Sequence, residues 1–216
     1  MSALTWDNTG ERYFETGVEK CVLYVKDDTG AYGEGVAWNG VTSISESPDG
    51  AEADDFWADN IKYASMRSAE TFGCSIEAYT YPDEFMECDG TKEAAKGVYF
   101  GQQSRKGFGL CYKTQVGSDT DSDATSYKLH LVYNCMASPS DKGYETINDS
   151  PDAITFSWEV DTTAVKVTGY KPVATIVIDS RKADATKLTA LEKILYGDTA
   201  AAKLPTPDEV LTAMAS

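Results

Sequence analysis

The chain has 216 residues, enough for one substantial core, and we expect a single domain spanning residues 1–216. Its 35 acidic and 19 basic residues give a formal charge of −16, and a surface of this sign repels phosphate backbones and argues against a nucleic-acid-binding protein. The N-terminus has no basic flank leading into an apolar segment, and no run approaches the ~18 apolar residues of a membrane span. We therefore expect a protein that is made and kept soluble in a cytoplasm, with no contact to a membrane.

The cysteines are odd in number, lie far apart and mostly fall within strand-like segments. They are Cys21, Cys74, Cys88, Cys111 and Cys135. A reduced cysteine in such a segment behaves as a small buried apolar group. We predict free thiols in the core, with Cys88 as the one candidate for exposure.

The first third of the chain is predicted to form β-hairpins. Residues 18–25 are strand-like and precede a glycine-rich break, and the apolar runs 35–38 and 41–46 flank Asn39-Gly40. Asn-Gly between two such runs favours a type I′ turn, because both central residues of that turn need positive φ. The sequence therefore predicts that the two runs pair with each other.

Residues 46–60 interrupt this pattern. The segment has no clean period, is rich in acids and still carries Phe56 and Trp57. Long irregular loops are usually functional or extended over a partner, and two large aromatic side chains need a surface to contact. We predict a long irregular loop that lies between subunits.

From residue 72 onward, apolar residues alternate with small or polar ones in four segments, 72–78, 108–114, 127–135 and 154–160. The apolar positions would face a core, and the other face would be polar and built from small residues. That polar face includes Glu77, Gln115, Asn134 and Glu159. A fifth strand at 173–180 is apolar on both faces, which predicts a strand covered on both sides.

Helical patterns appear only in a C-terminal tail at about 183–216. The first helix is predicted to begin after Asp184 as N-cap, to end at Gly197, and to bury one apolar stripe. The stripe consists of Leu188, Leu191, Ile194 and Leu195. Thr206-Pro207-Asp208-Glu209 is a capping box with proline at N1 and predicts a short second helix to about Met214. The predicted fold is mainly β, an antiparallel β-sandwich or small barrel with one flanking helix and a short C-terminal helix.

Metal and cofactor motifs are incomplete. Asp119, Asp121 and Asp123 match the first three ligands of an EF-hand loop, but Ala124 and His130 stand where that loop requires glycine and glutamate. Structural zinc sites need four ligands at short spacing, whereas this chain has no Cys-x-x-Cys and one histidine. We predict a solvated acidic hairpin tip at 119–123, no metal and no cofactor.

Catalytic motifs are also weak. His130 lies in mid-strand between two leucines, and no G-x-S-x-G nucleophile motif occurs. A glycoside hydrolase using two carboxylates stays open as an alternative. Its candidate acids are Glu77, Asp83, Glu84, Glu87 and Asp89. A chain with 35 acids supplies such pairs by composition alone, so we expect no enzyme.

Aromatic residues in irregular acidic segments are of the type enriched in the cores of protein interfaces. Those of this chain are Phe56, Trp57, Tyr79, Tyr81 and Phe85. They are our candidates for contacts between subunits. The alternative is that they cap the ends of the subunit's own sandwich.

Several blocks in order, from about Gly35 to Leu204, resemble the major tail proteins of long, non-contractile-tailed phages and prophages of Gram-positive bacteria. They include YTYPDEF at 79–85, GVYFGQQSRKGFGLCY at 97–112, YKLHLVYN at 127–134 and SPDAITFSWE at 150–159. The resemblance implies a tail-tube protein of which six copies close into a ring and rings stack into a hollow tube. DNA would leave the capsid through this tube without specific binding.

The resemblance also implies the partners and the location. The partners would be further copies of the chain, a tape-measure protein, a tail terminator and tail-tip or baseplate proteins. The chain would be part of the virion tail, assembled in the host bacterial cytoplasm. The segment 46–60 matches the loop that reaches a neighbouring subunit or ring in such tubes.

A conduit for DNA needs a lumen that does not bind phosphates, which a negative lining of small residues provides. Glu77, Gln115, Asn134 and Glu159 are our candidates for that lining. Two alternatives remain at this point besides the hydrolase. One is a carbohydrate- or cell-surface-binding β-sandwich, and the other is the inner tube of a contractile system, which only the family resemblance argues against.

Overall fold

A computed structural model describes residues 3–50, 52–146 and 153–215 of the chain. The beginning of the block at 150–159 therefore lies outside the described residues. The strands are β1 Tyr13–Lys26, β2 Tyr32–Ala37, β3 Val41–Glu46, β4 Ala53–Ala58, β5 Ile61–Arg67, β6 Gly73–Ala78, β7 Lys92–Ala95, β8 Val98–Phe100, β9 Phe108–Ser118, β10 Asp121–Ala137, β11 Phe156–Thr162 and β12 Thr175–Asp179. The helices are α1 Phe85–Cys88, α2 Ala185–Tyr196 and α3 Pro207–Met214.

One antiparallel sheet runs in the order β2-β1-β9-β10-β11-β6-β3, and β12 also pairs with β10. The long strand β10 pairs with β12 through residues up to Val132, with β9 through residues up to Cys135, and with β11 only through Cys135–Ala137. The sheet thus divides at β10 into a wide half (β2, β1, β9, β10, β12) and a narrow half (β11, β6, β3). Apolar residues of both halves pack into one core. The described residues are mainly in antiparallel strands with few helices, so the mainly β prediction is confirmed, and these strands form no closed barrel.

The change of direction in β10 is caused by Asn134. Its φ is 50°, and the register with β9 shifts between Val132 and Cys135. The extra residue reverses the alternation, so that Tyr133 packs under the helices and Cys135 packs between the halves. This corrects the expectation that Tyr133 and Cys135 share a face.

The wide half is buried on both faces. One face packs on the narrow half, and the other packs on α2 and α3 through leucines of β10 and α2. Cys111 and Lys113 of β9, expected on a polar face, are therefore buried under α2. The predicted polar second face exists only on the narrow half, because no described helix covers the outer face of that half.

The strand predicted to be covered on both sides is an edge strand instead. β12 pairs only with β10 among the described strands, and Val177 is 48% exposed. Val177 lies opposite His130, on the face of the wide half that packs on the narrow half, but at the open edge of the sheet. One edge and part of one face of this apolar strand are thus exposed.

Asn39-Gly40 does form a tight turn, with φ +79° at Gly40, but β2 and β3 do not pair with each other. β2 pairs with β1 in the wide half, and β3 pairs with β6 in the narrow half. The turn is a corner between the halves, held by hydrogen bonds from Trp38 N to Cys21 O (2.9 Å) and from Tyr79 N to Gly40 O (2.9 Å). The predicted hairpin is therefore wrong, although the predicted turn is right.

The helix predictions are confirmed. Asp184 caps α2 by accepting a hydrogen bond from Lys187 N, and Thr206 and Glu209 form the capping box of α3. Of the predicted stripe of α2, Ile194 stays 42% exposed at its edge while the three leucines are buried. None of the helices in the described ranges is long and apolar enough to cross a lipid bilayer.

Candidate assembly surfaces

The second half of the segment predicted as an irregular loop belongs to a β-hairpin, with a register shift between Phe56 and Trp57. β4 pairs with β5 from Ala53↔Arg67 to Ala58↔Ile61, and the tip residues Asp59 and Asn60 have φ of 51° and 63°. Positive φ at two adjacent residues is the geometry of a type I′ turn, which Asp and Asn tolerate better than most residues. We call residues 53–67 the arm.

The arm contributes nothing to the core of its own subunit. Every side chain of β4 is exposed, as is every side chain of β5 except Ala64. Phe56 is 49% exposed and Trp57 is 68% exposed. Large exposed apolar side chains grouped on one element are of the type found at interaction sites.

Strand β3, which precedes the arm in the chain, is fixed to the wide half at its last residue. Glu46, the last residue of β3, accepts a hydrogen bond from Tyr112 OH (2.8 Å), and its carboxylate lies 3.3 Å from His130 Nδ1. The His130 ring stacks on Tyr112 with ring centroids 4.7 Å apart, and its Nε2 lies 3.0 Å from Thr114 Oγ1. Burial lowers the pKa of His130, while Glu46 acts in the opposite direction. His130 thus takes part in the contact between the two halves at the end of β3.

The other three aromatic candidates lie at the opposite end of β6. Tyr79 is 54% exposed, whereas Tyr81 is partly buried against the core. Phe85 is fully buried among aromatic rings, with its ring centroid 4.5 Å from that of Trp38 and 5.1 Å from that of Trp158. Phe85 has no surface to offer a second subunit, which corrects its prediction as a contact residue. The prolyl turn before it folds the chain back into helix α1 and turns Phe85 inward.

The outer face of the narrow half carries small and acidic side chains only. The residues that alternate with the buried positions of β3, β6 and β11 share this face, because directly paired residues in an antiparallel sheet point to the same side. They are Ser43, Ser45, Gly73, Ser75, Glu77, Ser157, Glu159 and Asp161. We call this surface the acidic face. Ser43 Oγ of β3 donates a hydrogen bond to the Glu77 carboxylate of the neighbouring strand β6 (2.9 Å).

The four candidates for a lumen lining do not share one surface. Glu77 and Glu159 lie on the acidic face and are exposed. Gln115 lies on β9, where its Nε2 donates to Glu19 (3.2 Å). Asn134 is half-buried, donates to Thr163 O (3.0 Å) and is contacted by Lys26 Nζ. Alternation alone did not reveal that the second face of the wide half is buried under helices.

Two of the five candidate acids of the 77–89 stretch, Glu87 and Asp89, form ion pairs. Glu87 pairs with Lys106 (2.7 Å), and the buried Asp89 contacts both Arg105 (3.4 Å) and Lys142. These contacts tie α1 to the segments before β9 and after β10. Cys88, the one thiol considered a candidate for exposure, is fully buried in the core beside them.

The motif that partly matches an EF-hand contacts the N-terminal segment through Asp119. Asp119 Oδ1 accepts a hydrogen bond from Gly10 N (2.9 Å), and Arg12 lies 3.9 Å from its other oxygen. The side chains of residues 121–125 lie outside what the structure describes. Among the described residues, no group of three or more His, Cys, Asp or Glu side chains is arranged to hold a metal ion.

Comparison with known proteins gives distant structural similarity only. No protein-family profile matches the chain, and no curated protein matches it in sequence. The sheath–tube complex of the extracellular contractile injection system PVC aligns with TM-score 0.33 and 10% identity over 74% of this chain and 88% of that chain. The sheath/tube terminator of the PVC system aligns with TM-score 0.34 and 12% identity over 82% of this chain and 99% of that one. The baseplate of the anti-feeding prophage aligns with TM-score 0.39 and 6% identity over 81% and 97%. Scores and identities this low do not establish a shared fold.

Proposed function

We propose that the chain is a structural subunit that self-assembles into stacked hexameric rings and forms the tail tube of a phage or phage-derived particle. Ring number, stacking and location in a virion tail follow from the resemblance of the sequence blocks. So do the partners, which are a tape-measure protein, a tail terminator and tail-tip or baseplate proteins. The tube would be a passive conduit, and the chain would catalyse no reaction.

The observation that carries the proposal is the acidic face. Its carboxylates, including Glu77 and Glu159, repel phosphates, and the serines between them present no apolar or cationic group that could retain DNA. A face of this composition suits a wall along which a polyanion slides. We infer that the acidic face lines the lumen.

The open edges of the sheet support assembly into rings. β3 pairs only with β6, and β2 only with β1, among the described strands. Unpaired strand edges promote association between chains, and closure into a larger barrel satisfies them. The exposed arm gives a second contact beyond the edges.

Electron microscopy of the purified protein across concentration and salt tests the assembly. We expect rings or hollow tubes of uniform width, with or without tape-measure and tail-tip proteins as initiators. A chain that stays monomeric with these proteins present, and binds a glycan saturably, would instead be a carbohydrate-binding module.

Charge reversal tests the conduit. We expect assembled Glu77→Lys/Glu159→Lys protein to co-sediment with double-stranded DNA at low salt, whereas wild-type tubes do not. Glu34→Lys/Glu70→Lys is the matched control, because both residues are exposed and lie outside the acidic face. Equal DNA binding by both double variants would show that the acidic face is not the lumen.

A further inference from the structure

A cleft of about 630 Å³ opens at the corner between the two halves. Its apolar lining includes Val22 and Ala37 from the wide half and Val41 from the narrow half, with the buried Trp38 and Cys21 beneath. Trp38 Nε1 donates to Thr80 O (2.9 Å), so this indole has its hydrogen bond already satisfied inside the subunit. The cleft therefore offers apolar surface to an incoming group.

The cleft and the arm lie at opposite ends of the same strand. Val41, the first residue of β3, lines the cleft, and Glu46, the last, lies at the end from which the chain continues toward the arm, which begins at Ala53. Five residue steps of about 3.3 Å separate these ends by roughly 17 Å. No arm residue is among those that line the cleft. A projecting group at one end and a recess at the other define a head-to-tail contact, which closes into a ring or extends as a filament.

The chemistry of the arm matches the cleft. Trp57 and Phe56 are exposed apolar side chains, and aromatic side chains of this size each bury about 150–250 Å² when they enter a pocket. A volume of 630 Å³ accommodates such a ring with its neighbours. The cleft is lined by one cation and one anion: Lys20 makes no ion pair with any described residue, and Glu19 accepts a hydrogen bond from Gln115. On the arm, Lys62 pairs with Asp55, and Asp54, two residues before Phe56, is available to pair with Lys20 of the next copy.

We propose that the arm of one subunit inserts Trp57 into the corner cleft of the next copy of the same chain. This rests on the proposed function and assigns the receiving surface for its arm. Each subunit then gives one arm and receives one, and β3 connects the two contacts within each subunit. The contact is specific, since it needs both the aromatic group and an unfilled cleft.

Two variants separate the halves of this contact. Trp57→Ala removes the inserted group but keeps the cleft, and Ala37→Trp fills the cleft from the exposed strand β2 but keeps the arm. Ala37→Ser is the matched control for the second variant, and Tyr170→Ala removes an aromatic side chain that is 71% exposed outside both surfaces. Circular dichroism and thermal melting identify any variant that does not fold.

Light scattering after size exclusion gives the result. We expect each disrupting variant alone to lose at least tenfold in assembled protein, while both controls assemble as wild type does. An equimolar mixture of the two variants has one intact arm and one intact cleft, so it should give a 1:1 dimer of twice the 23.4 kDa subunit mass.

The other outcomes are distinguishable. Normal assembly of both variants would overturn the arm-in-cleft contact and leave the tube proposal standing. Loss of assembly by each variant without a dimer in the mixture would show that the arm and the cleft do not meet. A wild-type chain that never assembles, even with its initiators, would remove the tube proposal and this inference together.

Discussion

Replacement of Phe85 by alanine tests the aromatic core between the halves. The Phe85 ring is fully buried, and its centroid lies 4.5 Å from that of Trp38, 5.1 Å from that of Trp158 and 5.5 Å from that of Phe108. Truncation of a buried phenylalanine costs about 3–5 kcal/mol, because the transfer free energy is lost and a cavity remains. At a urea m-value of about 2–3 kcal/mol/M, the midpoint of unfolding should fall by about 1–2 M.

Equilibrium unfolding in urea, followed by tryptophan fluorescence, measures this loss. Phe85→Leu keeps much of the buried volume and should cost about 1–2 kcal/mol, which keeps the test decisive if the alanine variant does not fold. Phe56→Ala is the matched surface control and should change the free energy of unfolding by about 0.5 kcal/mol or less. The reasoning is refuted if the variants at Phe85 are no less stable than Phe56→Ala.

Three further results are expected. Asn134→Val should lower the free energy of unfolding by about 2 kcal/mol, because a β-branched residue is strained at φ 50° and the side-chain hydrogen bonds are lost; Asn134→Gly, which relieves the strain only, should be less damaging in the same urea titration. Lys113→Met should lower the free energy of unfolding by about 3 kcal/mol, because the Glu192 carboxylate loses the ammonium group 2.5 Å away. The double variant Lys113→Met/Glu192→Leu should recover most of this stability. If the losses from the two single substitutions simply add, the two residues are not a coupled ion pair. His130, the only imidazole, should titrate below its ordinary pKa of 6.5 in an NMR pH series. Because the pKa of His130 is lower in the folded than in the unfolded chain, its contribution to stability is present above pH 6.5 and is lost as the pH falls below that value. The difference in melting temperature between wild type and His130→Gln should therefore change with pH below 6.5, and a constant difference would contradict this prediction.

The sequence predicts the long strands and both C-terminal helices because their signals are local. Alternation over 72–78 places the buried residues of β6 correctly, and the capping side chains of Asp184 and Thr206 make the hydrogen bonds that their motifs predict. Each of these features depends on residues within one element. Such patterns require no knowledge of what the element packs against.

The predictions that are wrong concern features that depend on contacts between distant parts of the chain. Gly109 and Cys111 look like part of a polar face, but small residues also let a helix or loop approach a sheet closely, and Leu204 lies over Gly109. Asn39-Gly40 specifies a tight turn equally well within a hairpin and at a corner between two halves. Phe56 and Phe85 lie in similar acidic surroundings in the sequence, yet one is 49% exposed and the other is fully buried.

The five cysteines have a practical consequence for labelling. All are buried as free thiols, and burial raises the pKa of Cys74, Cys88 and Cys111 to about 12, so little reactive thiolate forms at neutral pH. Toward a maleimide, the folded protein should behave as if it contained no cysteine. A single cysteine placed at the arm tip could then carry a fluorophore without removal of the native thiols. The native thiols would in turn report on opening of the core, because they react only when the fold opens.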